Sequence, residues 1–161
     1  MDQSSLATSI IIMADDGGGG AVGIFVYMGG EQVVPDDVTH VRIHKSVKII
    51  PAYAFRYRRQ LVSVETHNEI EKVEADAFNE CSSLRGIELP GIMEVGEGAF
   101  CNCRKLTDAE FGNKLKTIGG SAFESCPLQK IKISSVRTIE EWAFVECEQL
   151  TDVELHAGIV F

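Results

Sequence analysis

The chain has 161 residues, of which 45% are apolar and 24% charged, a composition that allows one soluble domain with a hydrophobic core and argues against disorder of the whole chain. Its 15 Lys and Arg against 24 Asp and Glu give a formal charge of -9, so the field around the protein repels phosphate backbones and anionic lipid headgroups. We therefore expect neither a nucleic acid nor a membrane as its partner.

The first 23 residues hold an apolar run and a glycine run. The apolar run, residues 6–14, is nine residues long and has no Lys or Arg before it, so it lacks the length and flanks of a secretory signal or membrane span. Residues 17–20 are all glycine, a composition that cannot build a core. We predict a disordered tail over residues 1–23 and a cytoplasmic location, with the nucleus left open. Translation could start at Met1 or at Met13.

Residues 24–37 have the pattern of a small capping element. Two β-favouring runs, residues 24–27 and residues 32–34, flank Gly29 and Gly30, and such a pair is typical of a hairpin turn. The sequence therefore predicts an N-terminal β-hairpin that caps the repeats that follow.

The remaining residues, 38–161, repeat with a period of about 22. An Ala-Phe pair occurs five times, with spacings of 23, 22, 23 and 21 residues between its phenylalanines: Phe55, Phe78, Phe100, Phe123 and Phe144. Ile, Val or Leu stands five and eight residues before each phenylalanine, and a cysteine follows three residues after four of them. One such coil cannot bury its own apolar side chains, whereas stacked coils share a continuous core. The pattern predicts a solenoid of about five coils.

Each coil carries two strand patterns. The sequence Leu-x-x-Ile-x-Leu places its last two apolar residues on one face of a short strand, and Ile-x-x-Ile before Ala-Phe predicts a second, shorter strand. Adjacent coils should pair as parallel sheets with strands about 4.8 Å apart. The chain stops at Phe161 inside what would be another coil, and solenoids need polar caps. We expect either a C-terminally truncated piece of a longer protein or end-to-end association through the uncapped last coil.

The segments AFNECSSLRGIELP and AFVECEQLTDVELH resemble the BspA-type leucine-rich repeat, and the likeness runs from about Val38 to Leu155. With the preceding VPDDVTHVRIHKSVKIIPAYAF, they most resemble intracellular versions that unicellular algae, in the style of diatoms, carry in many copies. The resemblance implies a right-handed leucine-rich-repeat stack with a parallel β-sheet face, little α-helix, a protein-binding role and no catalytic residues. Arg58 departs from the cysteine column, and Pro127 lies where one coil is a residue short.

The cysteines and histidines recur at the coil period. Zinc sites pair ligands two to four residues apart, whereas four cysteines recur once per coil, with Cys101 nearby: Cys81, Cys103, Cys126 and Cys147. We expect a buried ladder of reduced thiols, although strand spacing would allow adjacent pairs to oxidise outside a reducing compartment. His44, His67 and His156 follow the longer strand, and we expect them to face solvent in turns.

The outward side of the longer strands is the expected binding surface, because solenoids bind through such extended faces. Two columns point outward there: Glu65, Glu88, Glu110, Lys132 and Glu154 in the first, and Ser63, Gly86, Asp108, Lys130 and Asp152 in the second. Lys130 and Lys132 lie between acidic residues of both neighbouring coils, an arrangement that fixes the strand register.

The earlier coils instead stack like charges with no basic column beside them, through Glu65, Glu88, Asp108 and Glu110. This stretch is the best candidate for binding a basic protein. The alternative interpretation is a solvated charged face that only blocks aggregation.

The sequence has no nucleophile motif, dinucleotide fingerprint or metal-protease helix, and the glycine run lacks the Lys-Ser/Thr of a phosphate loop. We therefore expect a protein-interaction module with no enzymatic activity, cofactor or metal. The alternative is a structural segment of a longer repeat protein that associates through its uncapped C-terminal coil.

Overall fold

A computed structural model describes residues 10–13 and 22–155 of the chain. These residues form a parallel-strand β-solenoid of about five turns, and no α-helix occurs among them. The sequence prediction of a repeat solenoid is confirmed.

Thirteen strands build the described part of the fold. The N-terminal strands are β1 (Ile10–Met13) and β2 (Val22–Tyr27). The long strands of successive coils are β3 (His40–Ile43), β5 (Ser63–Glu65), β7 (Gly86–Leu89), β9 (Asp108–Phe111), β11 (Lys130–Ile133) and β13 (Asp152–Leu155). The short strands are β4 (Ile49–Ile50), β6 (Lys72–Val73), β8 (Glu94–Val95), β10 (Thr117–Ile118) and β12 (Thr138–Ile139).

The short strands form one continuous parallel sheet in the order β12-β10-β8-β6-β4. Their second residue points into the core and stacks in register with its counterpart in the next coil, as Val95 does on Ile118 and Ile118 on Ile139. This is the second, shorter strand that the Ile-x-x-Ile pattern predicts.

The long strands form three parallel pairs rather than one continuous ladder: β3 with β5, β7 with β9, and β11 with β13. The junctions between these pairs, from β5 to β7 and from β9 to β11, are crossed by fewer backbone hydrogen bonds than the pairs themselves. At the first, the Arg85 N–H donates to the carbonyl of Val62; at the second, the Gln129 N–H donates to that of Thr107 at 3.4 Å. The second junction follows Pro127, which has no N–H and closes a turn one residue shorter than its equivalents.

The Ala-Phe segments make the third side of each coil. The Phe100 N–H donates to the Ala122 carbonyl of the next coil at 2.8 Å, and the equivalent bonds recur from coil to coil. Residues two before and two after each phenylalanine adopt positive φ, and Gly98 is the glycine in these two columns. The left-handed residues bend the backbone sharply around the ring, so the ring points into the core.

Five phenylalanine rings stack along the axis of the solenoid with centroids 4.9–5.5 Å apart and interplanar angles of 3–6°. Tyr27 of β2 closes this column with an edge-on contact to Phe55 at 4.9 Å. Burial of Tyr27 raises the pKa of its phenol above the ordinary value. The aromatic column is therefore continuous from the N-terminal cap to the last described coil.

The N-terminal cap differs from the predicted hairpin. β2 pairs in parallel with β3 and antiparallel with β1, whereas residues 32–34 form no strand. The side chain of Gln32 accepts a hydrogen bond from the Met28 N–H and donates one to the Val26 carbonyl. It therefore pairs with backbone groups that would bond to the second strand of a hairpin. The hairpin expected over residues 24–37 is thus corrected to a β1–β2 pair.

β1 and the start of β2 lie within residues 1–23, the segment whose composition predicts a disordered tail. Residues 1–9 and 14–21 lie outside the described residues, and so does the C-terminal segment 156–161.

Candidate interaction surface

The outward residues of β5, β7, β9, β11 and β13 form one surface, here called the front face. Alternation along each strand turns the apolar side chains inward, where Ile87 and Ile131 are buried, and the polar ones outward. All eight predicted site residues lie on this face and are exposed: Glu65, Glu88, Asp108, Glu110, Lys130, Lys132, Asp152 and Glu154.

Opposite charges meet across β11 and β13 as the sequence predicts. Lys130 lies opposite Asp152 and Lys132 opposite Glu154 in the parallel register, and the Lys132 Nζ lies 3.1 Å from a Glu154 carboxylate oxygen. Because both side chains of this ion pair are mostly exposed, the pair contributes little stability and mainly favours the observed register.

The acidic stretch is shorter than the sequence alone indicates. Arg42 lies opposite Glu65 in the β3–β5 register, and its Nε donates to a Glu65 carboxylate oxygen at 2.5 Å. This hydrogen bond raises the pKa of Arg42. Glu65 is therefore compensated, which corrects the expectation of four uncompensated acids. The signal was present in the sequence, since Arg42 precedes Glu65 by one repeat period.

Three carboxylates remain, and we call Glu88, Asp108 and Glu110 the acidic patch. Glu88 lies directly opposite Glu110 in the β7–β9 register. Asp108 accepts a hydrogen bond from the Thr107 hydroxyl at 2.7 Å. Within residues 10–13 and 22–155, no member of the patch takes part in an ion pair. Like charges on neighbouring strands repel, so the patch costs the free protein some stability.

Two shallow grooves follow the strand junctions of the front face. One has a volume of about 510 Å³ and runs from β5 to β9 past Glu88 and Glu110. The other, about 360 Å³, runs from β9 to β13, where Asp108 and Glu110 face Lys130 and Lys132. The front face therefore offers a strip that is acidic along one part and of mixed charge along the rest.

Cys81, Cys103 and Cys126 of the cysteine ladder are buried, as the repeat predicts, and Cys147 is half-buried. The ladder also makes hydrogen bonds that the sequence did not reveal. Each column thiol donates to the phenylalanine carbonyl of the preceding coil, for example Cys103 Sγ to Phe78 at 3.2 Å and Cys126 Sγ to Phe100 at 3.1 Å. Burial raises the pKa of Cys81 to about 12. A thiol that stays neutral, as Cys81 does, suits packing rather than nucleophilic chemistry.

Arg58 replaces cysteine in the first coil because it reaches the N-terminal cap instead of another coil. Its Nε and Nη2 donate to the Val34 carbonyl at 3.0 and 2.7 Å, and it pairs with Asp36 at 3.1 Å. The departure from the repeat thus fastens residues 34–36 to the solenoid.

The His67 ring links two neighbouring turns, whereas the His44 ring bonds to Ser46 within its own turn. His67 Nε2 donates to the carbonyl of His44 at 3.1 Å, and both side chains are partly buried. His156 lies outside the described residues. In the part of the chain that the structure describes, no three His, Cys, Asp or Glu side chains gather as a group that could hold a metal ion. The same part contains no helix with the length and apolar character to span a membrane.

The repeat geometry agrees with the comparison with known families. The model of the BspA type leucine rich repeat region matches residues 35–151 in six copies. The chain belongs to the BspA-type leucine-rich repeat family. No curated protein matches it significantly.

Solved structures of other leucine-rich repeat proteins share the fold of this BspA-type chain. A leucine-rich repeat protein of T. pallidum is 22% identical, with a TM-score of 0.69 over 82% of this chain and 73% of that one. A leucine-rich cell surface protein of Faecalibacterium prausnitzii is 21% identical, with a TM-score of 0.58 over 91% and 52%. One from Bacteroides ovatus is 26% identical, with a TM-score of 0.64 over 91% and 39%. The chain thus spans about half or less of the latter two proteins.

Proposed function

We propose that this BspA-type repeat protein is a non-catalytic protein-interaction module whose front face binds a basic segment of another protein. The observation that carries the proposal is the direct opposition of Glu88 and Glu110, neither of which makes an ion pair within the described residues. A basic partner would relieve this repulsion on binding, so the repulsion that destabilises the free protein favours the complex.

The charges beside the patch give the partner an orientation. Lys130 and Lys132 stand on the next long strand, so a basic segment that runs onto this strand would meet repulsion. Such repulsive elements are a common source of specificity. We expect the partner to place Lys or Arg over β7 and β9 and neutral or acidic side chains over β11.

Affinity capture from a lysate of the source cell tests the proposal. The bait is compared with a Glu88→Lys, Glu110→Lys variant and with a matched control, Glu69→Lys, Glu97→Lys, which makes the same charge change at exposed positions away from the front face. A basic protein retained by wild type and control, lost by the front-face variant and released by salt supports the proposal. An identical catch from all three baits contradicts it.

A second candidate function is assembly through the last coil. The last described coil exposes Trp142, Val153 and Leu155, with 70%, 42% and 43% of their surfaces accessible. These exposed apolar side chains line one groove, and a contiguous apolar surface favours association with another molecule. Light scattering over a dilution series should show a mass that rises with concentration if this candidate is correct, and a constant monomer mass if it is wrong.

We also propose a cytoplasmic location and a relationship to the intracellular algal repeats. The buried cysteine ladder supports a reducing compartment, because each thiol donates a hydrogen bond that a disulfide could not make. Imaging of a tagged protein in the source cell tests the location, and a signal at the cell surface would contradict it.

A further inference from the structure

A second charged surface lies away from the front face, at the turns that lead into the short strands. We call it the basic groove; its volume is about 530 Å³ and its lining residues are Met93, Asn113, Lys114, Lys116, Ser135 and Arg137. Three of these side chains are cationic and none is acidic. The groove is therefore positively charged, whereas the chain as a whole has a formal charge of -9.

The backbone brings the groove residues together. The Lys116 N–H donates to the Met93 carbonyl at 2.9 Å, and the Arg137 N–H donates to the Lys116 carbonyl at 2.8 Å, so the three residues occupy adjacent coils. Lys114 lies two residues before Lys116 in the same turn. The Ser135 hydroxyl donates to the Leu115 carbonyl at 2.8 Å and fastens the neighbouring turn. Two cations are thus held side by side at strand spacing, about 4.8 Å at the backbone.

Nearby carboxylates are engaged elsewhere. Glu94 pairs with Lys72 at 2.9 Å, and Glu140 accepts from the Gly120 N–H at 3.0 Å. Met93 occupies the position that Glu71 holds one coil earlier, so a neutral side chain separates that acid from Lys116. Among the residues that the structure describes, no ion pair involves a cation of the groove. The like charges therefore remain uncompensated.

We propose that the basic groove binds a small, soluble phosphate-bearing ligand, a site independent of the proposed function. Its ammonium and guanidinium groups are donors only, and they suit a ligand rich in anionic oxygens. The arginine fork can hold two phosphate oxygens at once.

The net charge of the protein limits the ligand to a compact one. At physiological ionic strength, charges are screened over about 8 Å, so a small anion in the groove responds mainly to the three local cations. A long polyanion would extend onto the acidic remainder of the surface and be repelled.

Isothermal titration calorimetry with pyrophosphate at low salt tests the site. The test variant is Lys114→Gln, Lys116→Gln, Arg137→Gln, and the matched control is Lys45→Gln, Arg85→Gln, Lys105→Gln, which removes the same charge from exposed positions elsewhere. The test variant should bind at least about tenfold more weakly, whereas the control stays within about twofold of wild type. Circular dichroism confirms that both variants are folded.

Three results would overturn the proposal. They are no pyrophosphate binding by the wild type, equal binding by the test and control variants, or citrate binding as tight as that of pyrophosphate, which would make the groove a general anion patch. Flotation with phosphoinositide vesicles, lost in the test variant, would overturn the soluble source and assign the phosphate to a lipid headgroup.

Discussion

Replacing Phe100 with alanine removes the central ring of the aromatic column. The Phe100 side chain is fully buried and stacks on Phe78 and Phe123, with both centroid distances at 5.2 Å. Burial of a phenylalanine contributes about 1.5–3 kcal/mol, and each stacked pair adds about 0.5–1.5 kcal/mol. Because the cavity can only partly collapse between two fixed rings, we expect Phe100→Ala to lower the free energy of unfolding by about 3–5 kcal/mol.

Urea unfolding followed by circular dichroism measures this loss. Phe144→Ala is the matched comparison, because Phe144 stacks on Phe123 at one side and is only partly buried. Its loss should be clearly smaller than that of Phe100→Ala. A loss below about 1 kcal/mol for Phe100→Ala, or an equal loss for both variants, would refute the assignment of the rings as a shared core.

Three further outcomes follow from the packing. Burial raises the thiol pKa of Cys81 from 9.0 to about 12 and that of Cys147 to about 11. Unfolded chains therefore lose these protons at lower pH than folded ones, and the free energy of unfolding should fall as the pH rises above 9. Urea titrations at several pH values measure this fall, and a free energy that does not change with pH would contradict the buried ladder. A Cβ at Gly112 would lie 1.9 Å from the Pro90 carbonyl oxygen, so Gly112→Ala should cost about 1–3 kcal/mol in thermal unfolding, whereas Gly86→Ala, with 3.6 Å to its nearest atom, should cost much less. Arg58→Cys should loosen the cap by removing two hydrogen bonds to Val34, which faster amide exchange in residues 24–36 would reveal; unchanged exchange would exclude this role for Arg58.

The repeat made most of the fold predictable. Phe100 and Ile118 recur at a fixed period, and identical columns leave stacking as the way to bury them, so the solenoid, both strand types and the outward columns were predictable. The cap was not, because its β-favouring run pairs with a segment before the glycine run, and local patterns do not encode such distant partners. The hydrogen bond of the thiol column was also hidden, because it depends on how the corner carbonyls point.

The candidate surfaces were predictable in part. Strand alternation placed Glu88 and Glu110 outward correctly, and the repeat period places Arg42 opposite Glu65, as the register between β3 and β5 confirms. The basic groove has a partial signal in the sequence, because Lys116 and Arg137 each stand seven residues before the phenylalanine of their coil. The turn that brings Lys114 and Ser135 to the same groove has no strand alternation and required the structure.

Binding of a basic partner to the acidic patch is tested by the affinity of the captured partner for a Glu88→Gln, Glu110→Gln variant at low and high salt. The variant keeps the shape of the side chains and removes their charge. We expect a dissociation constant at least about tenfold higher than that of the wild type at low salt, with a weaker salt dependence. An affinity and salt dependence equal to those of the wild type would contradict it.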